Sequence, residues 1–153
     1  MKKIKTYNFN WEMIAQGFGL PIDKTIQMFN DGRMLGRIGE FLHQESYNGV
    51  REKENSSFDV KDENNIRSEI RTITDKVSFA SSKEVGFGRQ VTEEGFNQKL
   101  NSLDRFILID KRLLEKGVID TIELTKEDVQ SLPLGKKKSI SAKKFFEKYD
   151  RNK

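Results

Sequence analysis

The chain has 153 residues, of which 34% are charged and 35% hydrophobic, and its formal net charge is +4. A chain of this length is expected to form one domain. The absence of cysteine excludes disulfides and thiolate zinc sites and leaves oxygen-ligated metal ions as an option. No segment approaches the roughly 20 apolar residues of a membrane span, and the N-terminal residues contain no apolar run of signal-peptide length. We therefore expect a cytoplasmic protein without membrane contact.

The first part of the chain predicts three helices. Apolar spacing indicates a short helix over residues 9–17 and a second helix that Asp23 caps and that ends at Asn30. In a third helix, over residues 34–45, four apolar side chains share one stripe: Met34, Ile38, Phe41 and Leu42. We expect this third helix to flank the sheet that later segments form.

Two polar residues of the third helix bear on function. Glu40 falls beside the apolar stripe, where it either looks toward the segment that follows or simply faces solvent. His43 is the only histidine, and we expect it at the helix surface. A single histidine argues against a histidine-based triad and against a multi-histidine metal site.

Residues 56–74 read as a β-hairpin. Residues 58–61 alternate apolar and polar side chains, as a half-buried strand does. Residues 62–65 supply Asp, Glu and two Asn to the turn, and residues 66–74 are rich in β-branched side chains. The segment 51–57 before the hairpin is polar enough to be a loop or a strand edge.

The hairpin brings Asp59 and Glu69 together, with Arg71 beside them. Side chains alternate across a strand, so that Glu69, Arg71 and Ile73 share one face. Ile70 lies on the other face. Two carboxylates beside a cation are typical of a metal-dependent phosphodiesterase site. Structural ion pairs across a charged surface hairpin are the alternative.

The segment 75–89 follows the hairpin, and Val77 and Phe79 predict a strand in it. Beyond this strand, glycines remove side-chain bulk while Ser, Lys and Arg offer donors to phosphate oxygens. Such a segment can approach a nucleic-acid backbone, although a plain mobile loop has the same composition. The residues expected to contact nucleic acid are Lys76, Ser81, Ser82, Lys83 and Arg89, with Gly86 and Gly88 among them.

The last part of the chain alternates helices and strands. Thr92 can cap a helix that continues to Leu103, and residues 106–110 then form an apolar run typical of a buried strand. A further strand is predicted over residues 118–124, followed by a helix that begins near Thr125 and stops at Pro133. The alternation predicts an α/β fold with a central mixed sheet flanked by helices.

The C-terminal segment, residues 135–153, is basic. It contains seven Lys and one Arg against two acidic residues, for a charge of +6, whereas residues 1–134 carry −2. Ser141 can cap a terminal helix in this segment. A basic end on a nearly neutral body is expected to bind an anionic polymer, with a solvated tail as the alternative. Its expected phosphate ligands are Lys136, Lys137 and Lys138.

An acidic residue followed about ten residues later by acid-x-basic resembles the PD-(D/E)xK nuclease superfamily, which includes type II restriction endonucleases and Holliday-junction resolvases. Asp59 stands at the family's Asp and Glu69-Ile70-Arg71 at its Glu-x-Lys, while Glu40 matches an additional helix glutamate. The predicted order of elements also follows the family's αβββαβ core. Two departures are that Arg71 replaces the usual Lys and that Phe58 precedes Asp59 where the family has Pro.

The resemblance implies a restriction-endonuclease-like core and a Mg²⁺-dependent DNA endonuclease. One or two Mg²⁺ ions would be held by Asp59, Glu69 and the Ile70 carbonyl, with Arg71 on the phosphate and Glu40 assisting. Arginine keeps the positive charge but is a poor proton acceptor. The implied partner is double-stranded DNA, cut by a homodimer. A compact type II restriction endonuclease is favoured over a resolvase, and a non-catalytic DNA-binding or regulatory protein is the main alternative.

Overall fold

The structure is a computed structural model, and it describes residues 1–53, 56–85 and 88–152. Six strands form one sheet in the order β1-β7-β6-β4-β3-β2, and β5 pairs with β8 separately. The strands are β1 (Lys2–Asn8), β2 (Val50–Arg51), β3 (Val60–Lys61), β4 (Arg67–Thr72), β5 (Lys76–Ser78), β6 (Arg105–Asp110), β7 (Val118–Thr125) and β8 (Ser139–Ser141). In the six-stranded sheet, β4 and β6 run parallel and the other neighbours antiparallel, so the sheet is mixed.

Helices cover both faces of this sheet. They are α1 (Trp11–Phe18), α2 (Ile22–Phe29), α3 (Gly32–Ser46), α4 (Glu93–Asn101), α5 (Lys126–Gln130) and α6 (Ala142–Arg151), with a short 3₁₀ helix at Leu114–Lys116. The predicted α/β fold with a mixed central sheet flanked by helices is confirmed. Within the described residues, no helix is both long and apolar enough to cross a membrane.

The sheet separates two apolar layers, and the alternation along β6 decides which side chain enters which layer. Phe106 and Leu108 face α4, α5, α6 and the β5-β8 pair, whereas Ile107 and Ile109 face α1, α2 and α3. On β4 the same alternation sends Ile70 to the α3 side, and Ile73, just beyond the strand, faces the α4 side. The face assignment made from the hairpin sequence is therefore confirmed.

The hairpin exists, but its strands are shorter than predicted. Val60 pairs with Ser68 and Lys61 with Arg67, and the ladder of β3 extends no further. At the turn, the Asp62 carboxylate accepts hydrogen bonds from the backbone N–H groups of Asn64 and Ile66 at 2.9 and 3.0 Å. Together with the Asp62 N–H, which donates to the Ile66 carbonyl at 3.0 Å, these side-chain bonds fix where β3 ends and where β4 begins.

Helix α3 lies close to the sheet because glycines face the strands. A Cβ atom at Gly39 would lie 2.3 Å from Ile109 Cδ1 and 3.2 Å from Ile70 Cγ2, and one at Gly32 would lie 2.8 Å from Thr74 Cγ2. No larger residue fits this approach without a shift of its neighbours. Because α3 packs so closely on the sheet, the side chains beside these glycines lie at the edge of β4.

Two predictions, about the cap of α2 and the apolar stripe of α3, are wrong. The cap of α2 is Pro21 without a side-chain hydrogen bond, because α2 begins at Ile22 and Asp23 lies inside its first turn. Phe41 does not belong to the apolar stripe of α3; it is 51% exposed, and the Arg51 guanidinium lies over its ring. The buried face of α3 passes instead through Leu35, Gly39 and His43.

His43 was expected at the surface, but it is only 2% exposed. Its ring lies against Tyr47, with 4.5 Å between centroids, and Arg105 Nη2 approaches Nε2 to 3.4 Å. Burial, and next the charge of Arg105, lowers the pKa of His43 to about 4. His43 is therefore a neutral, packed side chain near neutral pH, and it takes no part in the site below.

Candidate active site

Glu69 of β4 is the centre of a buried charge cluster. Its side chain is held by two cations: Lys99 Nζ lies 2.6 Å from Oε2, and Arg71 Nη2 lies 3.1 Å from Oε1. Glu69 is 8% exposed and Lys99 is 7% exposed. Lys99 also donates to the Ser57 carbonyl at 2.7 Å, so that it links α4, β4 and the segment before β3.

Lys99 was not among the residues singled out from the sequence. Thr92 caps α4 as predicted, since its hydroxyl accepts from the Gly95 N–H at 3.0 Å. The buried stripe of this helix contains Phe96 and Leu100, and Lys99 lies between them in the helical repeat. A lysine on the apolar stripe of a helix needs a buried anion, and this was the available signal.

Asp59 lies just before β3, at the point where this strand leaves β4. Its N–H donates to the Ser68 carbonyl at 3.0 Å, and its carboxylate Oδ2 accepts from the Ile70 N–H at 2.8 Å. The N–H and C=O of one strand residue point to the same edge of the strand, so that the Ile70 carbonyl also faces the Asp59 side. The three predicted metal ligands, Asp59, Glu69 and Ile70, therefore come from one small region.

The surroundings of the Asp59 carboxyl disfavour its ionised form, because burial and neighbouring carboxylates outweigh the nearby cation. Burial raises its pKa to about 7, and the neighbouring carboxylate of Glu69 and, more weakly, that of Glu40 add to this rise. The hydrogen bond from the Ile70 N–H and the charge of Lys99 act in the opposite direction. Carboxylates crowded in this way are typical of sites that bind a divalent cation, whose charge would return the pKa of Asp59 to a low value.

Arg71, predicted as the cation of the motif, links β4 to β5 through hydrogen bonds. Its guanidinium donates to the carbonyls of Ser78 and, at 2.8 Å, Ala80, in addition to Glu69. These bonds tie β4 to the end of β5, and the guanidinium also lies over the Phe106 ring at 5.5 Å. Most of its donors are thus committed to backbone carbonyls and to Glu69, whereas Lys99 contacts Glu69 from a different helix.

Glu40 extends toward the same region from the other side of the sheet edge. Its Oε2 accepts from Arg51 Nη2 at 2.8 Å and from Nε at 3.2 Å, and its charge contributes to the raised pKa of Asp59. Glu40, Ile70 and Arg71 together line one end of a groove of about 620 Å³ between α3 and β4. Two positions were expected for Glu40, one toward the hairpin and one facing solvent, and its side chain, 18% exposed, contacts Arg51 of β2.

Two carboxylates and a carbonyl form the candidate metal site. Within the described residues, no group of three or more His, Cys, Asp or Glu side chains is arranged to hold a metal ion. Mg²⁺ is commonly bound through one or two carboxylates and keeps several waters. Asp59 and Glu69 fit that pattern, provided that Lys99 moves away from the oxygen it now contacts.

The predicted DNA-binding residues divide into three groups. Lys76, Arg89 and Lys137 line one pocket of about 340 Å³. Another pocket, of about 380 Å³, is lined by Ser81, Ser82 and Lys83 together with Lys99. In the third group, Lys136 is exposed, whereas Lys138 is committed to the protein. Lys138 pairs with Glu93 and lies over the Phe96 ring at 4.9 Å. Gly86 falls outside the described residues, while Gly88 adopts a φ of +73°.

Comparisons of the chain with protein-family models, with curated proteins and with solved structures give no match. Function is therefore inferred from the side chains and their contacts.

Proposed function

We propose that the chain is a Mg²⁺-dependent DNA endonuclease with a restriction-endonuclease-like core. The observation that carries this proposal is the convergence of Asp59, Glu69, Lys99 and the Ile70 carbonyl at the point where β3 separates from β4. The chain order α3-β2-β3-β4-β5-α4-β6, with β4 parallel to β6, supports it: apart from β5, which pairs with β8 outside the six-stranded sheet, it follows the αβββαβ order that the resemblance implied.

The metal site would use Asp59, Glu69 and the Ile70 carbonyl, and the Glu40 carboxylate, paired with Arg51, would add negative charge beside it. The bound ion supplies a water of lowered pKa and neutralises charge on the phosphate. Asp59 and Glu69 fix the ion next to β4, and the buried setting strengthens their electrostatic effect.

Lys99 takes the role that the motif assigns to the basic residue after Glu69. Its ammonium pairs with Glu69, and a lysine side chain can shift to donate a hydrogen bond to a phosphate oxygen or to the attacking water. Arg71 would contribute positive charge and hold β4 against β5. The replacement of lysine by arginine at position 71 is then compatible with catalysis, since the lysine comes from α4.

Double-stranded DNA is the proposed substrate. One such site cuts one strand, so two copies of the chain are needed to cut both, and a symmetric dimer would match a palindromic target. Within this class we favour a small restriction endonuclease over a resolvase, because donor-rich residues such as Ser81, Ser82 and Lys83 line a pocket that adjoins Lys99.

A non-catalytic DNA-binding protein is the second candidate, and one observation favours it. Both carboxylate oxygens of Glu69 contact cations of the protein, as in a purely structural ion cluster. Such a protein would use the same basic surface without a metal.

The deciding experiment incubates the pure protein with supercoiled plasmid in Mg²⁺, with and without a chelator. We expect nicked and linear products only with the metal. Asp59→Asn and Glu69→Gln should reduce cleavage to background while DNA binding persists, whereas Glu12→Gln, an exposed glutamate of α1, should cleave normally. If the wild type binds duplex and branched DNA but cuts neither with Mg²⁺ nor with Mn²⁺, the non-catalytic function replaces the enzyme.

A further inference from the structure

One stripe of α3 carries Arg33, Arg37 and Glu40. Their spacing of four and three residues places them on the same side of the helix. All three line the groove of about 620 Å³ between α3 and β4, whose opposite wall includes Ile70, Thr72 and Lys76. The stripe thus runs from the candidate metal site, at Glu40, toward the N-terminus of the helix.

The groove owes its shape to the glycines of α3. Gly32 and Gly36 line it, and a Cβ atom at Gly36 would lie 3.6 Å from Thr72 Oγ1, in ordinary contact. Thr72 Oγ1 in turn donates to the Gly32 carbonyl at 3.0 Å, which fixes the helix against the strand. At the bottom of the groove the backbone of α3 lies against β4. The arginines therefore line a groove whose shape is fixed by contacts of the backbone.

Positive charge dominates the groove between its two ends. Its cations are Arg33, Arg37 and Lys76, together with Arg71, whose charge is already paired with Glu69, against Asp31 and Glu40. Each acid has a structural partner: Asp31 caps α3 by accepting from the N–H groups of Arg33 and Met34, and Glu40 is paired with Arg51. The neighbouring pocket shares Lys76 and Ser78 and adds Arg89 and Lys137, so the cationic surface continues across β5.

We propose that this groove binds the phosphodiester backbone of the cleaved DNA strand beside the scissile phosphate, with Arg37 on a nearer and Arg33 on a more distant phosphate and Lys76 on the facing wall. The inference rests on the proposed function of the site at Glu40 and Asp59. Along the helix axis, Arg37 lies about 4.5 Å and Arg33 about 10.5 Å from Glu40. These steps correspond to phosphates about one to three nucleotides away, at about 3.4 Å of duplex axis per nucleotide.

The test measures DNA binding apart from cleavage, by fluorescence anisotropy of a labelled duplex in a chelator. Arg33→Ala/Arg37→Ala should weaken binding at least about tenfold and lower the slope of log K against log salt by about 2. The matched control is Lys2→Ala/Lys3→Ala, which removes the same charge from β1 at the opposite edge of the sheet. Both lysines make only surface contacts, at 3.5 Å to Glu123 and 3.9 Å to Asp120, so that the control should lose little affinity.

Duplexes with a single uncharged methylphosphonate then locate the contacts. Wild-type binding should drop when the phosphates next to the scissile one are neutralised, and the Arg33→Ala/Arg37→Ala protein should be insensitive to those substitutions. Lys76→Ala, an exposed residue of β5, gives a second variant in case the double variant folds poorly, which thermal unfolding will show.

The outcomes separate the two proposals. Wild-type binding that the groove variants reduce no more than the control overturns the groove while leaving the nuclease intact. Groove-dependent binding without any cleavage supports the groove and overturns the nuclease. A wild-type protein that binds no DNA overturns both.

Discussion

The two faces of β4 are built on different principles. On the α3 side, Ile70 and Thr72 meet a helix that approaches closely because its contacting residues are glycines. On the α4 side, Glu69 and Arg71 point into a layer that is otherwise apolar, and Lys99 of the next helix pairs with Glu69 as Arg71 does. The first face depends on shape and the second on charge. A strand placed between a closely packed helix and a buried charge cluster can hold Glu69 in a fixed position, which the proposed metal site requires.

The largest expected effect concerns the two cations next to Glu69. Lys99→Met should lower the Mg²⁺-dependent cleavage rate by about 10²- to 10⁴-fold, because it removes the group proposed to act on phosphate or water. Lys99→Arg should recover little of this rate, since the larger planar guanidinium cannot reproduce the contacts of the ammonium with Glu69 and the Ser57 carbonyl in this buried position. Single-turnover cleavage of a labelled duplex is the measurement.

Arg71→Met is the matched comparison. Arg71 donates to backbone carbonyls at the end of β5, so its loss should lower the melting temperature while sparing more of the cleavage rate than Lys99→Met does. If Arg71→Met abolishes cleavage in a folded protein and Lys99→Met does not, the assignment of the two cations is reversed.

A smaller effect should appear in the stability of the charge cluster. Glu69→Gln leaves the ammonium of Lys99 buried with a neutral partner, at a cost of about 3–5 kcal/mol in the free energy of unfolding. The double variant Glu69→Gln/Lys99→Met removes the buried charge and should recover much of that loss. Urea unfolding of the two single variants and the double variant measures the coupling, and additive effects would show that the pair at 2.6 Å is not energetically linked.

The elements that were predicted well are those with strong periodicity. The apolar run at 106–110 and the capped helix that begins after Thr92 lie as expected, because burial and capping are local in sequence. β1 was missed because its lysines conceal the pattern: Ile4 and Tyr7 are its partly buried residues, and the strand exists through its pairing with β7. β8 is only three residues long and likewise depends on a distant partner, β5.

The candidate site was predicted in part for the same reason. Asp59 and Glu69 are close in sequence, so the hairpin alone brings them together. Lys99 lies thirty residues beyond Glu69, and its approach depends on how α4 packs on the sheet. The structural role of Arg71 depends on the Ser78 and Ala80 carbonyls, which no sequence motif encodes.

The charged residues around Glu69 and Asp59 also predict that the free energy of unfolding of the metal-free protein depends on pH. The pKa of Asp59 is raised to about 7 by burial and by Glu69 and Glu40, against the pull of Lys99. The folded state then binds a proton that the unfolded state has released, so stability falls as the pH rises between the unfolded and the folded pKa. The loss contributed by Asp59 should be at most about 2 kcal/mol between pH 5.5 and 7.

This contribution is measured as the difference between wild type and Asp59→Asn in denaturant unfolding across that pH range, in a chelator. The wild type should lose stability relative to the variant as the pH rises, and added Mg²⁺ should reduce the difference. Parallel stability curves for the two proteins would mean that Asp59 keeps an ordinary pKa and that its carboxylate is not crowded.

The smallest effect tests the close packing of α3 on β4, through substitutions at the glycines of α3. A Cβ atom at Gly39 would lie 2.3 Å from Ile109 Cδ1 and 3.2 Å from Ile70 Cγ2, whereas one at Gly36 would meet Thr72 Oγ1 at 3.6 Å. Overpacking costs about 1–3 kcal/mol, and alanine gains about 1 kcal/mol over glycine in a helix. Gly39→Ala should therefore destabilise by about 1–2 kcal/mol, while Gly36→Ala should stabilise slightly. Equal unfolding free energies for the two variants would show that α3 can move away from β4 at little cost. The packing of α3 on β4 would then not hold the site in position.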